Sequence, residues 1–179
     1  MRKLTIEEMH RLTVDEFRAS EKLPLTVVLD NVRSLNNIGS VFRTADAFRV
    51  EHIALCGICA TPPHREIHKT ALGAEDSVAW SYHEDTAACV RMLKERGYRV
   101  YAVEQVRDSI MLDDLKDVAH EGPMAIVLGN ELDGVQENLL PLCDGALEIP
   151  QYGTKHSLNV SCAAAIVIWE LFKKLRIEN

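Results

Sequence analysis

Met124-Ala-Ile-Val-Leu-Gly-Asn130 decides the architecture. Apolar residues run without alternation into a glycine and an asparagine, the pattern of a strand buried on both faces rather than one with a wet side. Its neighbours repeat the theme. LTVVLD (Leu25–Asp30) is a short β-rich run ending in an acidic residue, VEHIALCGI (Val50–Ile58) and YRVYAVE (Tyr98–Glu104) are strand-like, and GALEIP (Gly145–Pro150) is another strand. Helical spacing separates them. Ile38, Val41, Phe42 and Ala45 fall on one side of Asn36–Phe48, Glu84–Arg96 is amphipathic and stops at Gly97, and Ser157 to about Leu175 forms the last helix. Strand and helix alternating in this way predict an α/β fold, a mostly parallel sheet with helices on both faces.

In such sheets ligands sit beyond the carboxyl ends of the strands. Polar residues cluster at three of those ends: NVRSLNNIGSVFR after Asp30, GNELDGV after Leu128 and PQYGTKHSLN after Ile149. Packing alone does not call for Asn, Ser, Glu and Arg beside glycine at all three exits.

Composition narrows the class. With 179 residues, 47% of them hydrophobic and 26% charged, the chain is long enough for one domain with a real core. The longest uninterrupted apolar run, Cys162–Trp169, is far shorter than a membrane span, and the N-terminal residues contain no apolar signal region, so a cytoplasmic protein without a membrane partner is expected. An odd count of five cysteines at irregular spacing fits reduced thiols. The net charge of −7 argues against a broad nucleic-acid footprint and leaves room for a local basic patch. The first 22 residues read as a helical extension, with capping-box pairs at Thr5/Glu8 and Thr13/Glu16, followed by a single domain over 23–179.

No pair among the nine glycines falls as Gly-x-Gly, and neither Gly-x-x-x-x-Gly-Lys-Ser/Thr nor Gly-x-Ser-x-Gly occurs, which removes the dinucleotide fingerprint, the P-loop and the hydrolase elbow. Cys56-Gly-Ile-Cys59 with His64 and His68 resembles a zinc set, but the gap from Cys59 to His64 is too short for a finger and Cys56 falls within a strand, so no metal is expected. His64, Arg65, His68 and Lys69 form a basic cluster, open to reading as a solvated surface or as a phosphate-contacting patch.

Three segments, Leu29–Phe48, Ala125–Val135 and Ile149–Ile166, resemble in order and spacing motifs 1, 2 and 3 of the SpoU (TrmH) family of RNA 2'-O-ribose methyltransferases, in the SPOUT superfamily. The resemblance implies an α/β fold with a C-terminal deep trefoil knot, an S-adenosylmethionine cofactor, a homodimer whose interface completes the site, and transfer of a methyl group to a ribose 2'-hydroxyl of structured RNA, either tRNA or rRNA. On this pattern the catalytic positions are Asn37, Arg43, Glu131, Ser157 and Asn159, and the cofactor-holding positions are Leu128, Gly129, Ile149 and Leu158. RNA contacts are expected at Arg43, His64, Arg65 and Lys69. A non-catalytic RNA- or cofactor-binding dimer of the same fold is the alternative. Read by themselves, Ser157 and Asn37 are equally caps of helices and Glu131 a loop carboxylate. The last helix is expected to bury Ala163–Phe172, Ile166 included, and to begin at Ser157.

Overall fold

A computed structural model of the chain describes residues 1–5, 7–115 and 122–175. The strands are β1 (Leu23–Asp30), β2 (Val50–Cys56), β3 (Trp80–His83), β4 (Arg99–Val103), β5 (Ile110–Met111), β6 (Met124–Leu128) and β7 (Gly145–Glu148). The helices are α1 (Val14–Ala19), α2 (Leu35–Ala47), α3 (Arg65–Ala71), α4 (Ala74–Ser77), α5 (Thr86–Glu95) and α6 (Val160–Leu175). The strands form one sheet in the order β3-β2-β1-β6-β4-β7-β5, and every pairing in it is parallel.

The two faces of this sheet differ in bulk. Leu25, Val27 and Leu29 of β1, Ile53 and Leu55 of β2, and Met124, Ile126 and Leu128 of β6 join a core with residues of α1, α2, α3 and α6. The alternate residues, Val28, Ala54, Cys56, Ala125 and Val127, join a second core with Ala87, Cys89, Val90 and Leu93 of α5. Because successive side chains point to opposite faces, each strand must be apolar throughout, and the smaller residues serve the face covered by a single helix. No helix among the described residues is long and apolar enough to cross a membrane.

Local signals place the helix ends. Ser34 caps α2 by accepting from the Asn37 N–H, Asp85 caps α5 by accepting from Ala87, and Gly97 at φ 84° ends the α5 turn, as its sequence position requires. Thr13 and Glu16 form a full capping box at α1, and Thr5 with Glu8 repeats the pattern before a 3-10 turn at Glu7–Met9. The structure also contains two short strands that the sequence pattern does not mark, β3 on one sheet edge and the two-residue β5 on the other.

The last helix departs from its sequence reading. It begins at Val160, not at Ser157, and its cap is Asn159, whose Oδ1 accepts from the Ser161 N–H at 3.0 Å while its carbonyl accepts from Ala163 at 2.9 Å. Ala164, Val167, Ile168 and Leu171 are buried against α2 and β1, whereas Ile166 is 40% exposed and Trp169 49% exposed. Ile166 therefore lies outside the buried stripe. Ile168→Ala is expected to cost about 2–5 kcal/mol in urea unfolding, as for other buried Ile-to-Ala truncations, and Ile166→Ala much less.

Candidate active site

All strands point the same way, so the loops after β1, β6, β4 and β7 gather at one end of the sheet. The loop after β6 is closed on itself. Asn130 Oδ1 accepts from the N–H groups of Leu132 (2.8 Å) and Asp133 (2.9 Å), and Asn130 and Gly134 exchange backbone bonds at 3.2 Å. Gly129 lies flat against the returning strand of this turn: a β-carbon there would stand 1.9 Å from the Gly134 carbonyl carbon. Only glycine fits.

The turn projects Glu131 onto the start of α2. Its Oε1 accepts from the Ser34 N–H (3.1 Å) and the Asn37 side-chain amide (2.9 Å), and Oε2 accepts from the Arg33 N–H (3.2 Å). Asn37 Oδ1 in turn accepts from Asn159 Nδ2 at 3.2 Å. One chain of hydrogen bonds thus joins the loop after β6, the start of α2 and the cap of α6. Partial burial pushes the Glu131 carboxyl upward, but the Asn37 amide and the Arg33 and Ser34 N–H groups outweigh it and hold the acid below its ordinary value. A carboxylate at the positive end of a helix is further favoured by the helix dipole.

Two acidic residues that sequence reasoning left unassigned hold this loop in place. Asp30, with no solvent exposure at the end of β1, accepts on Oδ1 from Thr86 Oγ1 (2.7 Å), Gln136 Nε2 (2.7 Å) and Asn31 Nδ2 (2.8 Å), and on Oδ2 from the Gln136 N–H (3.1 Å). Glu104, just beyond β4, accepts from the Val135 N–H at 3.0 Å and faces Gly134, whose φ is 69°. The signal for both was present: an acidic residue closing an otherwise apolar strand cannot be left unpaired.

Between these loops lies a cleft of about 470 Å³, lined by Leu128, Gly129, Glu131, Ile149, Ser157 and Leu158 together with residues of the loops after β4 and β6. All the positions assigned to the cofactor meet here, with Ser157 and Glu131 beside them. The cleft's carboxylates are Glu104, Glu131, Asp133, Glu137 and Glu148, and among the described lining residues there is no Lys or Arg. That potential suits a cation with apolar parts and repels a phosphate. His156 is tied to the wall by its carbonyl, which accepts from Gln105 Nε2 at 2.5 Å.

Other sequence candidates lie elsewhere. Arg43 is exposed on α2 and lines a different groove, which it shares with Arg11 and Arg49. His64 caps α3 by accepting on Nδ1 from the Glu66 N–H (3.2 Å), Arg65 and His68 stand exposed beside it, and Lys69 turns to Glu66 at 2.7 Å. Cys56 and Cys59 are buried, with the Cys59 sulfur accepting from the Val32 N–H and donating to the Leu29 carbonyl.

A family model described as the SpoU rRNA Methylase family matches residues 24–169. The chain belongs to that family. Among its SpoU relatives, the tRNA (guanosine(18)-2'-O)-methyltransferase of Thermus thermophilus is 37% identical over 164 residues, covering 91% of this chain and 81% of that protein. The 23S rRNA (guanosine-2'-O-)-methyltransferase RlmB of Vibrio parahaemolyticus is 30% identical, covering 94% of this chain and 66% of its own length. In solved structures, the A. aeolicus TrmH/SpoU tRNA modifying enzyme superposes with a TM-score of 0.78 at 25% identity, covering 90% of this chain and 81% of that one. An AdoMet-bound rRNA methyltransferase from Sinorhizobium meliloti gives 0.77 at 26% identity, covering 87% and 61%. The matched residues span the sheet, the cleft loops and most of α6.

Because Glu131 is held below its ordinary value of 4.5, the stability it contributes is fully present above that pH and is lost as pH falls through the depressed folded value. In urea unfolding, Glu131→Gln is therefore expected to lie furthest below the native chain at neutral pH, the gap closing as the medium is acidified below pH 4.5.

Proposed function

We propose that this chain transfers the methyl group of S-adenosylmethionine to a ribose 2'-hydroxyl of structured RNA, with the acidic cleft as cofactor seat. The observation that carries this reading is the meeting of Leu128, Gly129, Ile149 and Leu158 in one cleft, directly beside the linked Glu131, Asn37 and Asn159. The cleft fits the group: apolar side chains and the Gly129 segment for an adenosine, and carboxylates without Lys or Arg for a sulfonium and an ammonium. Bound there, S-adenosylmethionine supplies an electrophilic methyl group.

The chain's own residues supply alignment and charge. Asn37, Glu131 and Asn159 are locked together before substrate arrives, so their polar groups need no reorganisation. Ser157, exposed at the cleft rim, offers a hydroxyl to the reacting ribose. Arg43 binds a phosphate of the RNA and stabilises the developing 2'-alkoxide. Its guanidinium, with a pKa above about 12, is a poor proton acceptor, so the proton leaves to a substrate phosphate or to water. Holding the hydroxyl in line with the methyl group supplies the rest, up to roughly 7–11 kcal/mol in the best intramolecular cases.

A homodimer completes the site in this reading. Cys162, Ile166 and Trp169 form an exposed apolar stripe on α6 at helical spacing, and Arg43 stands outside the cleft of its own chain, available to a partner's cleft. The C-terminal stretch is read as threaded into a trefoil knot. β7 lies beyond β4 as seen from β6, yet α6 returns to pack on α2 and β1. The Thermus and Vibrio relatives are named for tRNA and for 23S rRNA respectively, and the RNA class is taken to be one of these two.

Incubating the protein with labelled S-adenosylmethionine and transcripts of tRNA and 23S rRNA, then mapping 2'-O-methyl sites, tests the function. Label on a base, or transfer without RNA, would overturn it. Arg43→Ala is expected to lower kcat by about 10²–10³-fold, and Arg43→Lys to stay impaired at every pH. Recovery of the Lys variant at high pH would instead assign a general base. Asn159→Ala is expected to cost about 1 kcal/mol of stability through the lost helix cap and at least tenfold in kcat, measured side by side.

A further inference from the structure

We propose that a second groove, beside Trp80, is a nucleobase subsite that takes an unpaired nucleotide of the substrate RNA other than the one methylated; this rests on the reading of the chain as an RNA methyltransferase. The groove, about 560 Å³, lies where Pro62–Arg65 and α3 pass the start of β3. β3 is an edge strand, three positions from β6 in the sheet order, so at about 4.8 Å per strand roughly 14 Å of sheet width separates it from the strand whose exit loop carries Glu131, and Trp80 stands level with Ile53 and Ile126 rather than with the strand ends.

Trp80 opens β3 and is half-buried: it packs against the core shared with α2 and α3 while also lining the groove. A rigid indole with a supported position is a stacking platform for a base. The polar groups around it are of both signs. Arg65 and His64 provide donors, Glu75 and Asp76 provide acceptors, and His68 adds an imidazole. Lys69 does not line the groove, being paired to Glu66 at 2.7 Å.

Glu75 is fixed: its side chain is 9% exposed, one oxygen meets His68 Nδ1 at 2.5 Å and the other accepts from the Gly73 N–H at 3.0 Å. It therefore orients the His68 ring and leaves Nε2 for a ligand. Asp76 is exposed at the rim, where its carboxylate can accept from an exocyclic amino group. A site built for phosphate alone would have no use for Trp80 and would be weakened by Glu75 and Asp76. An aromatic face, an acceptor and an arginine together fit a base with its adjoining phosphate.

The test has two independent arms. The chain has two tryptophans, Trp80 and Trp169, so in a Trp169→Phe background only Trp80 reports. Octaadenylate is expected to quench its fluorescence saturably, and inorganic polyphosphate of equal charge is not. In the otherwise native full chain, Trp80→Leu is expected to raise KM for whichever tRNA or 23S rRNA transcript the native protein methylates by about fivefold or more, the low end for one stacked base. The loss should fall on KM rather than kcat, with Trp80→Phe restoring most of it and the S-adenosylmethionine dissociation constant serving as the folding control. Equal quenching by polyphosphate, no quenching by octaadenylate, or an unchanged KM in Trp80→Leu overturns the subsite. If the native protein methylates neither transcript, the functional reading fails separately, and the fluorescence arm still decides the groove.

Discussion

A carboxylate with no solvent exposure sits at the end of β1, and the arrangement of the cleft follows from satisfying it. Burying Asp30 without partners would cost several kcal/mol. Its partners come from Asn31, from Thr86 at the start of α5 and from Gln136 beyond the loop after β6. The same bonds that make the charge tolerable pin that loop across the ends of the central strands. Glu104 repeats the device from β4, taking the Val135 N–H. With the exit of the turn held by both acids, Glu131 lies against the N-terminus of α2, and Asn37 and Asn159 complete the line.

The molecule separates its electrostatic tasks in space. The cleft gathers carboxylates and no Lys or Arg among its described lining, whereas Arg43 shares a groove with Arg11 and Arg49, and Arg65 stands with two imidazoles beside Trp80. A net charge of −7 is compatible with an RNA-directed enzyme when the positive groups are placed locally and the negative ones face a cationic cofactor. In that reading affinity for RNA rests on a few directed contacts and stacking, and the acidic surface disfavours indiscriminate binding.

Much of the fold is legible in the residues. Unbroken apolar runs such as Met124–Leu128 require cover on both faces, and the Thr13/Glu16 capping box and Gly97 mark helix ends by local chemistry alone. β3 escapes such reading because an edge strand, Trp-Ser-Tyr-His, needs no continuous apolar character, and β5 is too short to carry any period. The start of α6 is misread for a related reason: Ser157 and Asn159 are both good caps, and only the path of the loop after β7 selects Asn159.

The sequence by itself determined the α/β class, the polar loading of three strand ends, the motifs that resemble a methyltransferase family, and the side-chain types available at each. Those are local properties, set by periodicity and by the donors and acceptors each residue carries. Only the tertiary structure decided that Leu128, Ile149, Ser157 and Leu158 share one cleft, that Asp30 and Glu104 fasten it, that Ile166 faces outward, and that Arg43 stands apart from the cleft of its own chain. The reason is that strand order, here β1-β6-β4-β7 at the centre of the sheet, fixes which loops meet. That order is a balance of long-range packing that no short stretch of residues encodes.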